Sequence, residues 1–157
     1  MKRLSLLLFA GLLFGLVQTA VAQVPHASEF VSFWTKYKNA LKNNDADFLF
    51  GTLHLPLDCE GSYYNPEATL ADIKENHMLV FPEYRHEMEF VRFDAILIER
   101  ENAYIWLGYD REEDRYFFAY NKRGEGNRVV SSEKWWFERV GVSDFRLYRI
   151  TMDFGDE

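Results

Sequence analysis

The chain has 157 residues, 48% hydrophobic and 17% aromatic, and a formal charge of −7 from 25 acidic and 18 basic side chains. That acidic balance argues against nucleic acid and against an anionic membrane surface as partners, because both select basic patches. Cys59 is the one cysteine, so no intramolecular disulfide can form and stability must come from packing.

Lys2 and Arg3 precede an apolar run from Leu4 to Val17, and Ala20-Val21-Ala22 supplies the small-x-small pattern of a signal peptidase site. The run is 14 residues long, whereas a bilayer core needs roughly 20 apolar residues to span. The sequence therefore predicts a signal peptide over 1–22, cleaved after Ala22. It predicts a periplasmic or secreted destination, with no stable membrane insertion after cleavage. Loss of the leader and its two basic residues leaves 135 residues at a formal charge of −9, a length that suits one domain over 23–157.

Ser28 is placed to cap a first helix through Asn44, in which Phe30, Phe33, Trp34, Tyr37, Ala40 and Leu41 recur at helical spacing. Asp45 caps a short second helix carrying Phe48, Leu49 and Leu53, and Pro56 closes it. Asp58 to Asn65 reads as a loop or a short strand. Thr69 and Asp72 form a near capping box that starts a third helix, with Leu70, Ile73, His77, Val80 and Phe81 on one face before Pro82.

From His86 the period changes to two. Strands are predicted at about His86–Glu99, Asn102–Tyr109, Arg115–Asn121, Val129–Val140 and Phe145–Phe154, separated by polar or glycine-containing breaks. Helices first and strands afterward give an α+β fold: N-terminal helices packed on a curved antiparallel sheet of five to six strands.

This layout resembles the nuclear transport factor 2-like superfamily. The segment FVSFWTKYKNALKNNDADFLF looks like its aromatic opening helix and short second helix. LHLPLD is similar to the entry to its cavity wall, and WWFERVGVSDFRLYRI to its closing hairpin. The resemblance implies a cone-like domain whose helices and concave sheet face enclose a pocket. That pocket would hold a ligand, support acid/base chemistry or be filled by side chains. It also implies that an enzyme of this kind would use a cavity-facing Asp, Tyr or His as base.

The candidates for that role are His77, Asp94 and Asp58. His77 falls on the apolar face of the third helix, where the plain alternative is a hydrogen-bonded core histidine. Arg92 and Asp94 interrupt the apolar row Met88, Phe90, Ile96, Ile98, either as a polar pair at a pocket mouth or as a solvated ion pair at a bulge. His54, Asp58, Tyr63 and Tyr64 cluster around Leu55-Pro56-Leu57, as a site or as an ordinary polar turn. Trp34, Tyr37, Tyr63, Arg92, Trp106 and Tyr116 are the candidate ligand-binding residues, and the plain alternative for the rings is core.

His77 and His86 lack metal-ligand spacing, no HExxH run occurs, and no metal or cofactor is expected. The expected function is binding rather than catalysis, toward a small apolar molecule or another protein, with a dimer open as one oligomeric state. The alternatives are a cofactor-free acid/base enzyme of isomerase or hydratase type, and an inhibitor or immunity-type interaction partner.

Overall fold

A computed structural model describes residues 24–61, 67–75, 82, 84–89, 91–93 and 98–154. The predicted leader, with its cleavage site, lies outside the described residues. Among the described residues no helix is long and apolar enough to cross a membrane.

Helix α1 spans Ala27–Asn43, and its buried residues Phe30, Phe33, Trp34, Tyr37, Ala40 and Leu41 are the predicted stripe. Its cap is His26, in the left-handed region at φ 57°, rather than Ser28. Ser28 already lies within the helix, where its hydroxyl donates to the neighbouring Glu29 carboxylate at 2.7 Å. Asn44 closes α1 at φ 53°, a conformation in which Asn is tolerated better than most residues. Asp45 then caps α2, Ala46–Gly51, its carboxylate accepting the Phe48 amide at 3.1 Å.

Helix α2 ends at Gly51 instead of running to Pro56, and β1 occupies Leu53–Glu60. Pro56 is accommodated because β1 pairs β7 irregularly, with the register shifting between Leu53 and Asp58, so no ladder donor is demanded of it. Strand β2, Glu67–Ala68, pairs β1 on the far side. Helix α3, Leu70–Glu75, starts with the predicted box: the Asp72 carboxylate accepts from the Thr69 amide at 2.8 Å, and the Asp72 amide donates back to the Thr69 hydroxyl at 3.3 Å.

The first predicted long strand is not formed as expected. Its beginning is a short helix, α4, Arg85–Met88, and among its described residues Ile98–Glu99 at the end form a strand, β3. Met88 and Val91, both buried, fit a helical step that the period of two hid. The remaining strands follow the sequence reading: β4 Ala103–Asp110, β5 Arg115–Arg123, β6 Val129–Arg139 and β7 Phe145–Phe154.

The architecture is α+β, and among the described residues the sheet has seven strands rather than five or six, in the order β2-β1-β7-β6-β5-β4-β3. Strands β1 and β2, which precede the five predicted strands, account for the difference. All described pairings are antiparallel except β1 with β7, which is parallel. Alternation on β5 divides the rings: Tyr116 and Phe118 join the main core, while Phe117 and Ala119 join Trp136 on the opposite face.

Candidate functional site

Helix α1 and the inner sheet face leave little between them. Phe30 stacks on Tyr116 with centroids 3.8 Å apart, Trp34 on Phe118 at 5.8 Å, and Tyr37 meets Phe137 edge-on at 5.5 Å. Trp34, Tyr37 and Tyr116 are 2%, 0% and 4% exposed. The Trp34 indole donates to the Val91 carbonyl at 3.2 Å, and the Tyr116 hydroxyl to that of Pro25. These three nominated residues are thus brought together, as packed core. Trp106 is 39% exposed on the other sheet face, edge-on to Phe117 at 4.9 Å.

The remaining candidates are dispersed. Arg92 is exposed beside Lys38, whose ammonium is bound to the Val91 and Glu89 carbonyls at 3.1 and 3.2 Å. Asp58 is half-exposed and accepts from Arg149 at 3.0 Å, while His54 pairs with Glu138. Burial pushes the Cys59 thiol up to about 11, which keeps it protonated and a poor nucleophile. His77, Asp94 and Tyr63 lie outside the described residues. Among the described residues no three His, Cys, Asp or Glu side chains gather as metal ligands.

An open groove of about 610 Å³ lies where α1 and α2 meet the β6–β7 turn. Phe33 of α1, Phe48 of α2 and Phe145 of β7 contribute its rings. Lys36, Thr52, Ser143, Asp144 and Arg146 supply polar groups, and Gly51 and Val140 complete the lining. Its walls are fastened. The Leu147 amide donates to the Thr52 carbonyl at 2.9 Å, tying the end of α2 to β7, and the Val140 amide to Asp144 at 3.0 Å closes the turn. Arg139 holds that turn through the Val142 carbonyl at 2.6 Å and lies 2.9 Å from the His26 ring at the head of α1.

The groove's charges are unspent. Among the described residues Lys36, Arg146 and Asp144 have no ion-pair partner. Arg146 stands opposite Glu138 in the β6–β7 register, but that carboxylate is engaged by His54. Sequence reasoning missed this site because its lining comes from residues 33–52 and 140–146, and no local pattern brings those segments together.

A second polar place lies on the inner face. Glu133 of β6 accepts the Trp135 indole N–H at 2.5 Å, and burial, the largest influence, raises its carboxyl above the usual range. The Tyr84 hydroxyl is close enough to feel Glu133, and burial first, then that carboxylate, raises it well above the ordinary phenol value. Tyr84 lies flat on Tyr120 at 4.0 Å. The buried Tyr37 hydroxyl has no hydrogen-bond partner among the described residues. Glu133 was also missed, although a period of two places it in the apolar row with Trp135 and Phe137.

Fold and groove together define an α+β protein with a filled aromatic core and an amphiphilic cleft at one end. No protein-family model, curated protein or solved structure matches the chain.

Proposed function

We propose that this chain is an exported, non-catalytic binding protein that carries a small amphiphilic molecule in the groove between α1, α2 and the β6–β7 turn. The observation that carries this reading is the groove itself. Its volume lies in the range of small-ligand sites, roughly 300–1,000 Å³, and its lining combines three rings with five polar side chains. The packing of Trp34, Tyr37 and Tyr116 favours the groove over the inner sheet face as the place of binding. Export rests on the sequence of residues 1–22, and the superfamily resemblance stays a proposal beside it, supported by the order of helices and strands.

Gly51 offers a clean test. Gly51 lines the groove and a Cβ built there meets nothing within 4 Å, so Gly51→Trp places an indole at the groove wall from a position with room for a side chain to start. Residues 23–157 are screened against a small-fragment set by ligand-observed NMR, alongside this variant. Binding that the variant abolishes, with its spectrum otherwise preserved, is expected. A screen without hits, or hits that persist in the variant, would falsify the reading.

One observation favours an acid/base enzyme as the second reading: the raised Glu133 carboxyl beside Tyr84 and the Trp135 indole, since displaced carboxyls concentrate at catalytic sites. Turnover of an isomerase or hydratase substrate that disappears in Glu133→Gln would select it.

A further inference from the structure

Resting on the reading that the groove binds a small molecule, we propose that its ligand is a small monocarboxylate with an aryl or short alkyl tail. The carboxylate is held by Lys36 and Arg146, and the tail lies along Phe33, Phe48 and Phe145.

Charge sets the head group. The protein is strongly acidic, yet this lining carries two cations and one carboxylate, Asp144, a local excess of one positive charge. Both cations are exposed and, among the described residues, unpaired. One negative charge balances that excess, whereas a polyanion meets both Asp144 and the acidic remainder of the chain. A guanidinium presents parallel N–H donors that match a carboxylate's two oxygens, so Arg146 suits this head group better than a spherical anion.

Shape sets the tail. Phe33 and Phe145 are almost fully buried and Phe48 partly so, which leaves a ligand only a small, shallow ring surface, most of it from Phe48, and no deep apolar shaft. That favours one ring or a short chain over a long lipid. The Thr52 and Ser143 side chains and the backbone at Gly51 leave the rest of the cleft polar.

The experiment compares three probes of one shape, 3-phenylpropionate, 3-phenylpropanol and 3-phenylpropylamine, by two-dimensional NMR titration of residues 23–157. The acid is expected to shift groove signals and to bind about fivefold tighter than the alcohol, the scale of one partly exposed charge contact. Arg146→Gln and Lys36→Gln should each shrink that ratio, and Asp144→Asn should widen it. These positions are exposed, so the variants should keep the wild-type spectrum. If alcohol and acid bind the groove equally, or the amine binds tightest, the carboxylate inference fails while the groove reading stands. If no probe moves groove signals, both fail.

Discussion

The two faces of the sheet carry the same kind of side chain and cover it differently. On β5, Tyr116, Phe117 and Phe118 follow one another, so alternation sends the outer two inward and the middle one outward. Inward, a whole helix covers the rings: Phe30, Trp34 and Tyr37 of α1 stack on or meet them edge-on. Outward, Phe117 and Trp136 are covered by side chains alone: Tyr148 packs against them, and the Lys134 ammonium sits 4.0 and 3.7 Å from their ring centroids. Trp106 closes the flank, in space kept by Gly108, where a Cβ would stand 2.8 Å from Phe117 and 3.1 Å from the Trp106 nitrogen. A helix shields one face by removing it from water. On the other face Phe117 and Trp136 are nearly as buried, but individual side chains, one of them charged, take the place of a helix.

The largest effect should therefore come from opening the helix-covered face. Trp34→Ala removes a buried ring stacked on Phe118 and Tyr37, together with its hydrogen bond to Val91. A loss of about 3–5 kcal/mol is expected, a large share of a typical domain's stability. Trp106→Ala on the other face, where the ring is partly exposed, should cost much less. Urea unfolding of both variants measures the contrast, and equal losses would mean that the two faces are not differently covered.

Glu133 sharpens the comparison from within the inner face, because its carboxylate sits among buried rings, bonded to the Trp135 indole and beside Tyr84. Burial raises its folded pKa above the ordinary 4.5. Between the unfolded and folded values the native state keeps a proton that the unfolded chain has already released, so stability falls as pH rises through that window. Below about 4.5 both states are protonated and the penalty vanishes. Glu133→Gln keeps an acceptor for the Trp135 indole and removes the titration. The variant should match wild type near pH 4 and exceed it at neutral pH, as followed by chemical denaturation across pH. Parallel curves would show that Glu133 is ionised at no cost in the native state.

What could be read along the chain depended on the length of each period. Strands β4 to β7 hold their alternation over eight to eleven residues, and the sequence places them within about two residues. Helix α4 is four residues long, too short for a helical period to separate from a strand's, and Met88 satisfied both. At β1 the proline rule pointed to an ending, but the local loss of pairing with β7 made room for Pro56 inside the strand. The carboxylate in an apolar row was sought at Asp94, outside the described residues, while β6 carried the same signature at Glu133. The groove had no signature of its own, because distant segments meet there only after folding.

The smallest effect belongs to the outer face. Burial lowers the Lys134 pKa, and Asp110, 3.7 Å from its ammonium, offsets part of that cost. Lys134→Met retains an unbranched stem to cover Phe117 and Trp136 and removes only the charge above their rings. A partly exposed cation over an aromatic face contributes about 0.5–1 kcal/mol, so the variant should lose no more than that in urea. High salt should narrow the gap between the two proteins, because the missing term is electrostatic. If the variant is instead as stable as wild type at every salt concentration, apolar contact from the stem, Tyr148 and Trp106 shields the outer rings, and the two faces differ in what covers them rather than in the kind of force that does so.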